Sequence, residues 1–143
     1  AVYPVVATVQ RNHVCHTVVA PAPIAPGAAA RAAEIARAAA AAADGLGVTG
    51  VEMFLLAGGA VLVNELAPRP HNSGHYTIEA CETSQFENHL RGVLDLPLGD
   101  VSMRAPAAAM VNLLGSAAGP ARPERAGALA VPGAHLHLYD KAE

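Results

Sequence analysis

Two short apolar runs separated by a glycine pair constrain this chain more than any other stretch. Val51-Glu52-Met53-Phe54-Leu55-Leu56 and Val61-Leu62-Val63-Asn64-Glu65-Leu66 are rich in side chains that suit a pleated strand. Gly58-Gly59 lies between them, and glycine takes the positive φ that tight hairpin turns demand. The expected element is an antiparallel hairpin closed by a two-residue turn. That register sets Phe54 opposite Val63, Met53 opposite Asn64 and Glu52 opposite Glu65. Like charges directly across a sheet repel. Two carboxylates on one face, amid apolar neighbours, ask for a divalent cation or a shared proton. A slip of register that parts them, or two solvated acids at a sheet edge, would account for the same residues without a ligand.

The segment Ala67-Pro68-Arg69-Pro70-His71-Asn72-Ser73-Gly74-His75 follows directly. Its prolines stiffen the backbone, and Asn-Ser-Gly permits a tight turn. A polar loop hung from the strand that carries Glu65 is a favourable place for binding groups, because the strand holds it still. Arg69 offers a planar fork of donors suited to carboxylate or phosphate. The alternative is a structural loop whose arginine pairs with a nearby acid. His71 and His75 have zinc-like spacing, but Pro70, Asn72 and Gly74 oppose a helix there and no third ligand is evident.

The remaining segments fill out a mixed fold. Residues 2–9 and Val14 to Val19 suggest a hairpin turning at Arg11-Asn12-His13. From Gly27 to Ala43 the chain is nearly all alanine, with Arg31, Glu34 and Arg37 on one solvated face, and this predicts a helix capped by Gly45. Ser84-Gln85-Phe86-Glu87 is a capping box opening a helix to Leu94, with Phe86, Leu90, Val93 and Leu94 as the expected buried face. Ala107 to Leu114 reads as a strand, 116–127 as a loop and Val131 to Tyr139 as a final strand. His135 and His137 would share one face of that strand. The fold class is α+β, mainly antiparallel sheet with packed helices. Its expected domains are 1–98 and a small β domain over 99–143.

Composition excludes several functions. Thirty-three of 143 residues are alanine and only 3% are aromatic, so the core is built from small side chains. Charged residues interrupt every long apolar run, so no membrane span is expected. Eight arginines, one lysine and a net charge of −3 leave no basic patch for nucleic acid. Two cysteines cannot build a disulfide scaffold, and a reducing, cytoplasmic setting is expected. Cys81 reads as a buried inert thiol. No nucleophile elbow or lysine-bearing phosphate loop is present. The chain lacks an initiating methionine and starts and stops in strand-like runs, as expected of a piece of a longer protein.

The run Asn64-Glu65-Leu66-Ala67-Pro68-Arg69-Pro70-His71-Asn72-Ser73-Gly74-His75-Tyr76-Thr77 resembles the signature of the N5-carboxyaminoimidazole ribonucleotide synthase family of ATP-grasp enzymes. The likeness continues in Thr83 to Arg91, in Met110 to Gly115 and in His135 to Lys141, so it covers essentially the whole chain. It implies ATP-dependent carboxylation of 5-aminoimidazole ribonucleotide by bicarbonate, by way of carboxyphosphate, in purine biosynthesis. It implies Mg2+, with Mn2+ as the alternative ion, held by Glu52 and Glu65. Asn64, Glu65 and Gln10 would face the nucleotide. Arg69, His71, Asn72, Ser73 and Lys141 would face the substrate, with Arg69, His71 and Lys141 closest to the chemistry. Many ATP-grasp proteins carry an asparagine two residues after the second acid, where this chain has Ala67. The resemblance covers only the family's C-terminal part, so the piece is expected to be inactive alone, within a homodimer when complete. The rival readings are a formate-dependent glycinamide ribonucleotide transformylase and a non-catalytic half that pairs with another chain.

Overall fold

A computed structural model describes residues 1–114 and 125–138 of the chain. Packing divides it into two units, Ala1–Met110 and Val111–Glu143. The first unit opens on β1 (Ala7–Arg11) and β2 (Val14–Ala20), an antiparallel hairpin joined through Asn12 and His13. Both turn residues have positive φ, 50° and 63°, the backbone that matches the twist of a two-residue hairpin. The strand begins later than the sequence suggests. Residues 1–6 run alongside without joining a ladder, tied by the Val5 carbonyl, which accepts the Ala22 N–H at 2.7 Å. With β5 (Ala108–Val111), shorter than the expected run, these strands form a sheet in the order β1-β2-β5.

Helix α1 (Pro26–Ala42) starts with proline in its first turn and stops in a Schellman arrangement. The Gly45 N–H reaches the Ala40 carbonyl and the Asp44 N–H reaches that of Ala41. Asp44, at φ 48°, takes the left-handed position expected of Gly45. Aspartate tolerates that backbone better than most residues. Alanine side chains let α1 lie close over β3 (Gly50–Leu55) and β4 (Val61–Ala67).

The β3–β4 hairpin carries the main correction to the sequence reading. Its loop has three residues, Ala57-Gly58-Gly59, with the Leu56 N–H on the Ala60 carbonyl. Both glycines have positive φ. Met53 therefore faces Val63 and Phe54 faces Leu62. A bulge at Asn64 then restores the expected pairing of Glu52 with Glu65.

Beyond β4, a 3-10 turn (Asn72–Gly74), α2 (Thr77–Ala80) and α3 (Gln85–Val93) complete the first unit's helices. The Ser84 hydroxyl caps α3 by accepting the Glu87 N–H at 3.2 Å. Its buried face is the reverse of the one expected. Gln85 and Asn88 are buried, whereas Phe86, Leu90, Val93 and Leu94 are exposed. The inward Asn88 binds backbone and a side chain: it accepts the Gly99 N–H at 2.8 Å and donates to the Tyr3 hydroxyl at 2.8 Å. His89 accepts the Val48 N–H at 3.2 Å. The core is Cys15, Val18, Ala20, Tyr76, Ala80 and Cys81. Neither cysteine forms a disulfide.

Residues 99–110 pack with the first unit. The Glu82 N–H reaches the Ser102 carbonyl, and the Arg104 N–H reaches that of Ala80. In the second unit, helix α4 (Arg125–Leu129) overlaps the end of the segment read as loop over 116–127. Residues 131–138 form no strand, so His135 and His137 are not arrayed on one. None of the described helices is long and apolar enough to cross a membrane.

Candidate functional site

Glu52 and Glu65 lie directly opposite each other on β3 and β4. The bulge lets consecutive residues of β4 serve that face together. The Asn64 amide donates to Glu52 Oε2 at 3.4 Å, while Glu65 keeps its place across from Glu52. His71, at the head of the loop, brings Nε2 to 3.5 Å from Glu52 Oε1. One ligand atom from each of Glu52, Glu65 and His71 lies within 4.8 Å of the others. This is the only such cluster among the described residues. The facing acids anticipated from sequence are therefore present, with an amide and an imidazole set against Glu52.

The imidazole is oriented by its other nitrogen. His71 Nδ1 accepts the Ser73 backbone N–H at 3.4 Å and lies 2.9 Å from Ser73 Oγ. That contact leaves Nε2 on the side of Glu52. The ring packs over β3, where a Cβ added at Gly50 would lie 2.8 Å from the His71 Cβ. Glycine at 50 is what admits the loop so close to the strand.

The backbone of His71 is gripped from behind by Gln85, which is 2% exposed. Gln85 Oε1 accepts the His71 N–H at 3.0 Å, and Nε2 donates to the His71 carbonyl at 2.7 Å. Thr77 Oγ1 accepts the Gln85 N–H at 2.9 Å and donates to the Gly74 carbonyl at 2.6 Å. The sequence reading placed Gln85 only within a capping box. Nothing in that pattern distinguishes a clamp from a surface glutamine at the start of a helix.

A cleft of about 690 Å³ opens on this cluster. Tyr3, Ala36, Thr49, Glu52, Asn64 and His71 are among its walls. Its size suits a nucleotide-sized ligand. Arg69 is exposed, donates to the Pro70 carbonyl at 3.1 Å and pairs with no acid among the described residues. Its guanidinium keeps donors to offer, in contrast to the structural-loop alternative. Asn72 and Ser73 stand in the same turn. Gln10 is exposed on β1, opposite Cys15, and does not line the cleft. Lys141 lies outside the described residues.

Residues 1–86 match the family model of the ATP-grasp domain. The chain belongs to the ATP-grasp family. Residues 108–143 match the model of the phosphoribosylaminoimidazole carboxylase C-terminal domain. The N5-carboxyaminoimidazole ribonucleotide synthase of Mycobacterium tuberculosis is 53% identical over all of this ATP-grasp chain, which covers 34% of that protein. The Synechococcus elongatus protein of the same name is 50% identical over all of the chain, which covers 36% of it. The chain thus spans about a third of the length of these curated relatives. Among solved structures, the Thermus thermophilus N5-carboxyaminoimidazole ribonucleotide synthetase superposes with a TM-score of 0.88 at 47% identity. That match covers 99% of this chain and 38% of that one. An Aspergillus clavatus synthase, solved with ADP and 5-aminoimidazole ribonucleotide, gives 0.77 at 48% identity, covering 80% of this chain and 31% of its own.

Proposed function

We propose that this chain forms the metal- and substrate-binding part of an ATP-dependent ligase that carboxylates 5-aminoimidazole ribonucleotide with bicarbonate. The products are N5-carboxyaminoimidazole ribonucleotide, ADP and phosphate. The observation that carries the reading is the facing pair Glu52 and Glu65, backed by His71, in an ATP-grasp chain similar along its whole length to synthases of that name. Two opposed carboxylates suit a hard divalent cation, and Mg2+ is the ion that prefers such oxygens together with phosphate. Mn2+ is the substitute more tolerant of the neighbouring imidazole nitrogen. Bound there, the ion would neutralise charge on the phosphate oxygens of ATP.

The chain's own groups divide the remaining work. Asn64 and Glu65 face the nucleotide, with Asn64 holding Glu52 in orientation. Arg69 binds the anionic part of the ribonucleotide through its planar fork. Asn72 and Ser73 add neutral donors, and Lys141 adds a flexible point charge. In the first step a bicarbonate oxygen bonds to the γ-phosphorus of ATP and ADP leaves. In the second, the exocyclic amine of the ribonucleotide bonds to the carboxyl carbon, phosphate leaves and the amine gives up a proton. The protein contributes positioning and charge stabilisation. A reducing, cytoplasmic setting is the proposed location. A homodimer is the proposed assembly of the complete enzyme.

The test joins this chain to the remaining length of the Mycobacterium tuberculosis relative and follows ADP release with Mg2+ and bicarbonate. Aminoimidazole ribonucleotide should stimulate release, and Glu65→Gln should lower it by about 100-fold or more. Stimulation by glycinamide ribonucleotide and formate instead would transfer the assignment to the rival transformylase.

A further inference from the structure

We infer that Gln85 is a positioning residue for the carboxylation assigned above, acting through His71. The inference rests on that assignment of His71 to the substrate site. A side-chain amide that both accepts from and donates to one residue's peptide groups imitates a rung of a β-ladder. Gln85 does so for His71 at 3.0 and 2.7 Å from a buried place in the first turn of α3. The loop is held a second time, through the Thr77 hydroxyl that links the Gln85 N–H to the Gly74 carbonyl.

The fit leaves no slack. A Cβ at Gly74 would fall 2.4 Å from Gln85 Oε1, and one at Gly50 would fall 2.8 Å from the His71 Cβ. His71 is thus fixed between β3 on one side and the Gln85 amide on the other. Its imidazole is set from within the loop by Ser73. A 3-10 turn of three residues has no regular ladder to hold it. Without the amide, the His71 peptide groups would turn to other partners and the ring would shift relative to Glu52. Displacements of about 1 Å in such a group can cost about 100-fold in rate.

The experiment uses the same joined enzyme. Gln85→Met keeps the length of the side chain and removes both hydrogen bonds. It should lower kcat about tenfold or more while KM for MgATP stays within about twofold, since Gln85 contacts none of Glu52, Asn64 and Glu65. Ser84→Ala weakens the same helix start without touching His71, and should leave kcat within about twofold. Wild-type kcat in folded Gln85→Met, with His71→Ala impaired, overturns the inference and leaves the site assignment standing. Wild-type kcat in His71→Ala overturns the site assignment itself. Should Gln85→Met fail to fold, Gln85→Glu retains the acceptor for the His71 N–H and loses the donor to its carbonyl. The same loss of kcat is expected there, and wild-type kcat in that variant overturns the inference.

Discussion

Glu52 and Glu65 show how far single residues can be read from a chain. Their pairing followed from strand alternation around a glycine turn, and it holds. The route to it differs, because the three-residue loop and the Asn64 bulge cancel each other. Cys81 is likewise buried as expected, and Cys15 joins it in the core. Burial, chiefly, raises both thiols above the ordinary 9.0, with Glu52 adding to the effect at Cys15. The thiol is the favoured form in the folded state. The stabilisation from that difference is whole below the ordinary thiol value and is lost as pH rises through the raised one. The unfolding midpoint should therefore fall as pH climbs above 9.0, measured by thermal melts across the alkaline range. At pH about 8, both thiols should react with a disulfide reagent at least ~10-fold more slowly than in the unfolded chain.

At the scale of elements, hairpins and helices were legible wherever local chemistry sets them. Glycines, prolines and the Ser84 cap act over a few residues, and α1, β3, β4 and α3 stand close to their expected bounds, whereas the strand expected from Val131 is absent over 131–138. The buried face of α3 was not legible, because burial depends on what lies across from a helix. Here it is backbone, which Gln85 and Asn88 can bind and leucine cannot. Leu90→Ala should therefore cost less than about 0.5 kcal/mol, whereas Val18→Ala, in the core, should cost about 2 kcal/mol. Denaturant melts of the two variants measure the contrast. Gly58, at φ 95°, occupies a backbone that L-residues resist. Gly58→Ala should cost about 1–2 kcal/mol in the same assay.

On the scale of the whole molecule, the first unit gathers Glu52, Asn64, His71 and Ser73 around one cleft, with Glu65 opposite Glu52. These residues come from two strands and a turn. The chain spans about a third of its curated relatives. Two functions are therefore separable in the isolated 143 residues. Mn2+ should bind, with affinity reduced about tenfold or more by Glu65→Gln, as followed by the paramagnetic resonance of the free ion. Steady ATP turnover should be absent from the same sample, measured as ADP release with all substrates present. Normal turnover there would show that the chain holds a complete nucleotide site.

The sequence by itself determined what short-range rules can reach. Those are the α1 helix, the two hairpins, the facing acids, the rigid polar loop and the resemblance that the family model bears out. Tertiary structure alone decided which face of α3 turns inward and how His71 comes to lie beside Glu52. A bidentate amide clamp joins residues 14 positions apart through geometry that leaves no periodic trace. Helix period and strand alternation report on neighbours along the chain. The partner that makes Gln85 worth burying comes from a different element, and only folding brings the two together.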